Sequence, residues 1–232
     1  MHSNGSSIWN WIRTAHHWTE TRCKQLFRPL HFWHKTIMQQ TVRYLSHPQV
    51  LIDPAKPIPN WSLNDVGKRR IRALAAHSCL SSTRHVISSA ETKAIETATP
   101  LAHALGCDME IREGMHENDR SATGFLPPEE FESVADQFFA QPATSIRGWE
   151  TAVAAQRRIV AEVNKCLHTH QSGDVLFVGH GGVGTLLFCH LAGVPISRSY
   201  DQGPNGGGCY FEFVSPNGRP QSPWQALEKL MT

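Results

Sequence analysis

Apolar positions along the chain change period in a regular order. Val42, Tyr44 and Leu45 make a short extended run in "TVRYLS", which stops at Ser46-His47-Pro48. The stretch that follows, "DPAKPIPNW", is rich in proline and reads as a loop. Leu63, Val66, Ile71, Leu74 and Ala75 then keep helical spacing behind Ser62, with Asp65 three residues on in a capping-box arrangement. "HVISS" over 85–89 predicts a second strand. A helix from Glu91 to Leu105 follows, stopped by Gly106 and kinked or restarted at Pro100.

"MEIR" predicts a third strand, "EGMHENDRSATGF" a polar loop, and "PEEFESVADQFF" an amphipathic helix. Val153, Ile159, Val160, Val163 and Leu167 mark the buried side of a long helix between Trp149 and His168. "DVLFVG" is a continuous apolar run, the pattern of a central parallel strand covered on both faces. It ends at His180, where "GGVGTLLFCHLAGV" opens another helix before a closing strand, "CYFEFV". This alternation predicts an α/β fold, three layers deep, with a mostly parallel central sheet.

Composition narrows the class. A chain of 232 residues, 40% hydrophobic and 18% charged, is long enough for one domain with a substantial core. No apolar run reaches the roughly 18 residues of a membrane span. Six scattered cysteines without a CxxC pair argue against a zinc site and suit a reducing, cytoplasmic compartment.

Charge divides the chain in two. Residues 1–37 hold five Lys/Arg and one acid, with four of the seven tryptophans, while residues 38–232 hold 17 basic and 19 acidic residues. That near-neutral body lacks the basic field of a nucleic-acid binder. The basic extension could be a targeting segment or a membrane-surface helix. It could equally be an upstream extension of a domain starting at Met38, the preferred reading because the strand-helix pattern is complete without it.

Two apolar strands thus end on histidines, His47 and His180. In open α/β sheets ligands bind at the carboxyl ends of the strands. Gly181 and Gly182 after His180 let a ligand approach the backbone, and the helix they open offers N–H donors to an anion. Together these features suggest a phosphate site.

The arrangement resembles the histidine phosphatase superfamily, the phosphoglycerate mutase-like proteins. The family's first-strand Arg-His-Gly pattern corresponds to Ser46, His47 and Pro48, with only the histidine kept. Its Ser-Ser-x-x-x-Arg-Ala-x-x-Thr-Ala segment is similar to Ser88, Ser89, Lys93, Ala94, Thr97 and Ala98, with lysine for arginine. The late Val-x-His-Gly-Gly matches Val178, His180, Gly181 and Gly182, and Glu117 stands at the acidic position of the middle loop.

The resemblance implies a phosphomonoester hydrolase working without a metal or cofactor. His47 would be the nucleophile, Glu117 the acid and then base, and His180, Lys93 and Gly181 would hold the phosphoryl oxygens. Its substrate would be a small-molecule phosphomonoester or a phosphoprotein. Ser46 departs most from the pattern: it offers one neutral donor where arginine would offer a charged fork. Arg120 is the expected compensating cation. A phosphate-binding module with little catalysis is the main alternative, and a phosphoglycerate mutase a lesser one.

Overall fold

The computed structural model describes residues 39–204, 206–216 and 218–232, so the N-terminal extension lies outside the described residues. Its elements run in the expected order: β1 (Gln40–Ser46), α1 (Asp65–Ala75), β2 (Thr83–Ser89), α2 (Thr92–Leu105) and β3 (Met109–Arg112). There follow α3 (Pro128–Ala140), α4 (Ala152–Thr169), β4 (Asp174–Gly179), α5 (Gly181–Ala192), β5 (Cys209–Ser215) and the short β6 (Gln225–Ala226).

One six-stranded sheet has the order β3-β2-β4-β1-β5-β6. The first four strands are parallel, while β5 runs antiparallel to β1 and β6 antiparallel to β5. Strand residues alternate between two cores, as the period of two requires. Val42, Tyr44, Val175 and Phe177 face α3, α4 and α5 with Phe138, Ile159 and Leu186. Leu45, Val86, Leu176 and Val178 face α1 and α2 with Ile71, Leu74 and Leu101. The result is a three-layer α/β/α fold.

Element ends depart from the sequence pattern where tertiary contacts compete. Helix α1 starts at Asp65 and not behind Ser62, because Leu63 stays extended: it bridges Val50 and donates its N–H to Glu96 Oε2 at 2.7 Å. Asn64 is the N-cap instead, accepting from the Gly67 N–H at 3.0 Å, and Val66 points to solvent. Helix α4 starts three residues after Trp149. Arg147 and Gly148 hold positive φ, which no helix tolerates, and Thr151 caps the Ala154 N–H. Trp149 is nevertheless in the core. Helix α2 runs through Pro100 as one element and ends at Gly106 in the left-handed conformation.

Tyr44 ties the sheet to the head of α5. Its ring stacks on Phe211, and its buried hydroxyl accepts from the His180 N–H at 3.1 Å and donates to the His180 carbonyl at 3.2 Å. Tyr44→Phe would leave the buried His180 N–H unpaired, at a cost of about 1–3 kcal/mol, while the His180 carbonyl would still accept from the Gly184 N–H at 3.1 Å. In urea denaturation the midpoint should fall with the slope unchanged; an unmoved midpoint would show that the hydroxyl holds nothing.

Candidate active site

Parallel pairing of β1 with β4 sets Ser46 opposite Gly179, so the residues that follow, His47 and His180, emerge side by side. Their rings are 5.3 Å apart, centroid to centroid, crossed at 71°. The His47 N–H donates to Gly179 O at 2.9 Å, and its carbonyl accepts from the Gly208 N–H at 2.9 Å. The ring Nδ1 lies 2.9 Å from the Pro48 carbonyl oxygen. A carbonyl can only accept, so Nδ1 carries the proton and the neutral ring leaves a lone pair on Nε2. The proline that follows the histidine therefore sets its tautomer.

Both imidazoles are kept neutral. Burial, aided by the Lys93 charge, pushes His47 down to about 4 although its ring is partly exposed. Burial pushes His180 down to about 3 against the opposing pull of Glu91 and Glu117. His180 is fully buried; its Nε2 is 2.8 Å from Ser89 Oγ, and its Nδ1 has no partner among the described residues.

Glu117 lies at the head of α5. Its carboxylate accepts from the Gly182 N–H at 3.1 Å and the Val183 N–H at 2.9 Å. The His180 side chain makes no capping bond to its own helix, so Glu117 supplies the anion that the helix dipole favours. Both glycines here let side-chain ends approach the backbone closely. A Cβ on Gly182 would lie 2.7 Å from Glu117 Oε1, and one on Gly181 would lie 2.2 Å from Gln202 Nε2. The loop carrying Glu117 is clamped by Arg158 of α4, which donates to the carbonyls of Gly114, His116 and Glu117 and pairs with Glu150.

Lys93 and Ser46 are placed otherwise than the sequence suggests. Lys93 is buried, paired with Glu91, and donates to Ile58 O at 3.0 Å. Ser46 is buried too, and its hydroxyl is already engaged. It donates to Gln202 Oε1 at 2.5 Å or to Cys209 O, and it accepts from the Cys209 N–H at 3.1 Å. It is not a free donor. Arg120 sits with its guanidinium 4.8 Å from the Phe131 ring centroid and lines the same cavity as Glu117. Arg43 is remote, paired with Glu212 and Asp174.

That cavity has a volume of about 570 Å³; Pro57, Ile58 and Pro59 wall one side, and Glu91, His116, Glu117 and Arg120 another. Glu91 is the residue the sequence reading missed. It is buried, it accepts from the Glu117 N–H at 2.8 Å, and its Oε1 lies 3.5 Å from His180 Nε2. Burial raises it, but the paired Lys93 ammonium and the hydrogen bond from the Glu117 N–H outweigh that and pull it down to about 2. Two residues from Lys93, at the N-cap of α2, it shares no helix face with the lysine, so spacing gives no hint of the pair. Arg158 was likewise hidden, being one arginine among the polar positions of α4.

Taken together, a lone pair on His47 Nε2, a second imidazole, a carboxylate and a helix N-terminus form an arrangement suited to nucleophilic attack on a group that carries negative charge. Among the described residues no cluster of His, Cys, Asp and Glu could hold a metal ion. Nor is any described helix long and apolar enough to cross a membrane.

Residues 55–218 match the family model of the histidine phosphatase superfamily (branch 1). His47 lies ahead of that range. No curated protein matches the chain by sequence. Among solved structures, a mycobacterial glucosyl-3-phosphoglycerate phosphatase complexed with VO3 is similar at a TM-score of 0.67 and 17% identity, covering 81% of this chain and 99% of that one. A phosphoserine phosphatase mutant from Entamoeba histolytica in complex with phosphoserine gives 0.66 at 13% identity, with 79% and 96% covered. YhfR of Bacillus stearothermophilus gives 0.66 at 17%, with 78% and 94% covered. At these identities the likeness is one of fold.

The neutral histidines make stability depend on pH with a definite sign. A histidine whose folded value lies below its ordinary 6.5 binds fewer protons folded than unfolded, so it contributes stability above 6.5 and loses it as pH falls toward about 4 for His47 and about 3 for His180. Glu91 acts in the same direction lower down, from its ordinary 4.5 toward about 2. Urea midpoints measured against pH should therefore be level above neutrality and fall steadily in acid. His180→Asn should fall less steeply, and an equal slope in both proteins would contradict the burial of a neutral ring.

Proposed function

The chain belongs to the histidine phosphatase superfamily, and on that footing we propose that it hydrolyses phosphomonoesters through a phosphohistidine on His47. The observation that carries this reading is the Nδ1–H bond from His47 to the Pro48 carbonyl, which leaves Nε2 as a free nucleophile. In the first step the Nε2 lone pair attacks phosphorus and the ester P–O bond breaks. Glu117 takes up a proton from solvent as it leaves the two N–H donors of α5 and gives it to the departing alkoxide, which leaves as an alcohol. In the second step water attacks phosphorus, Glu117 takes back a proton, the P–N bond breaks, and inorganic phosphate is released. For its two transfers the Glu117 carboxyl leaves the head of α5 and turns toward the ester oxygen. A His180 tautomer with the proton on Nδ1, its Nε2 accepting from Ser89, would offer that unpartnered N–H to a phosphoryl oxygen.

Arg120 supplies the cation nearest the leaving group, replacing the charge absent at Ser46. The phosphate and phosphoserine chemistry named for the structural neighbours supports a phosphomonoester, small or protein-borne, as the substrate class. The six scattered cysteines, with no CxxC pair, support a cytoplasmic setting. A second reading, a phosphate-binding module with little turnover, is favoured by the pairing of Lys93 with Glu91 and by the engaged hydroxyl of Ser46.

His47→Ala should abolish both turnover of p-nitrophenyl phosphate and acid-labile, base-stable phosphate on the protein. Glu117→Gln should slow alkyl esters by about 10²–10⁴-fold and the aryl ester less, because general-acid help matters least for a stable leaving group. Arg120→Ala should weaken phosphate binding and turnover together. Wild-type protein that binds phosphate without turnover, with binding retained in His47→Ala, would establish the binding module instead.

A further inference from the structure

The charges around the two histidines do not suit a dianion. Ser46 and its partner Gln202 are both neutral. Lys93 is cancelled by Glu91 within a buried pair. Glu117 adds one negative charge, and Arg120 adds one positive charge from the loop. Arg158 is spent on Glu150 and on backbone carbonyls, and His116 Nδ1 donates to the Glu117 carbonyl at 2.6 Å. With both imidazoles neutral, Lys93 and Arg120 stand against Glu91 and Glu117, and the Glu113 and Asp119 carboxylates that line the same cavity leave an excess of negative charge.

We propose that Glu91 makes this site selective for phosphoryl esters that carry a single negative charge. This rests on the phosphoryl-ester reading above and narrows it. A phosphomonoester at neutral pH carries between one and two negative charges, with its second ionisation near pH 6, about −1.5 to −2 in all at pH 7. Its second charge would meet the Glu91 carboxylate beside His180, and Arg120, the one arginine of the loop, shares its cavity with Glu113, Glu117 and Asp119 as well, in a setting where water screens little. A singly charged ester avoids that repulsion. Two sources share this chemistry: the protonated form of a monoester, and a diester, which cannot gain the second charge. For a diester the same displacements balance. His47 Nε2 attacks, one P–O bond breaks, protonated Glu117 gives its proton to the leaving alkoxide, and water then attacks phosphorus, returning a proton to Glu117 and breaking the P–N bond to release a phosphomonoester.

The binding arm uses calorimetry on the whole chain, with inorganic phosphate and dimethyl phosphate at about pH 5.5 and about pH 8, on either side of the second phosphate ionisation. Inorganic phosphate should bind about tenfold or more tightly at the lower pH, the equivalent of one lost charge repulsion. Dimethyl phosphate, a monoanion throughout, should change little; a parallel change would mean that a protein group is titrating and would overturn the proposal. Glu91→Gln keeps the acceptor for the Glu117 N–H but removes the charge, and should raise phosphate affinity at the higher pH by about tenfold. Tighter phosphate binding at the higher pH in wild type, or no gain in a Glu91→Gln protein that melts normally, overturns the proposal. The wild-type comparison stands without the variant.

Turnover of p-nitrophenyl phosphate against its bis-ester identifies the source. Monoester rates that fall with rising pH point to the protonated monoester; bis-ester rates that match or exceed them, flat with pH, point to a diester. Absence of turnover on either ester would refute the hydrolase reading alone, and the binding arm would still decide the charge preference.

Discussion

The register between β1 and β4 is the constraint on which the site depends. With Ser46 opposite Gly179, the next residue of each strand is a histidine, and the two rings stand 5.3 Å apart. Taking two imidazoles out of water disfavours their charged forms, so both are held neutral far below the ordinary histidine range. Neutrality creates the possibility of nucleophilic nitrogen, and the Pro48 carbonyl decides which nitrogen it is. Tyr44 ties the arrangement to the sheet, since its hydroxyl is the partner of the His180 N–H and also donates to the His180 carbonyl.

A second constraint comes from α5. Its first turn exposes N–H groups that need acceptors, and the residue before it is a histidine that does not cap it. Glu117 meets that need from a loop far away in sequence, held by Arg158 and by a bond from its own N–H to Glu91. Glu91 in turn neutralises Lys93. The acid of the proposed mechanism, the helix terminus and the buried ion pair are thus one connected network, and a change at Glu91 would be felt at both Glu117 and His180.

Much of this was legible in the sequence where the signal is local. Strand and helix periods gave the layered fold, and strand-ending histidines with Gly181 and Gly182 pointed to one end of the sheet. What was not legible depends on partners distant along the chain. Helix α1 begins late because Glu96 captures the Leu63 N–H, which spacing around Ser62 cannot reveal. Ser46 reads as a free donor until Gln202 is seen against it. Lys93 reads as a free cation because Glu91, at a helix cap, falls outside the spacings by which paired charges are recognised.

The tautomer of His47 is the most direct point of test. In ¹⁵N-resolved NMR of the whole chain, His47 should show a protonated Nδ1 and an unprotonated Nε2 at neutral pH. Its signals should not titrate until pH falls toward about 4. A proton on Nε2, or titration near the ordinary 6.5, would mean that the Pro48 carbonyl does not set the ring and that His47 is not poised as a nucleophile.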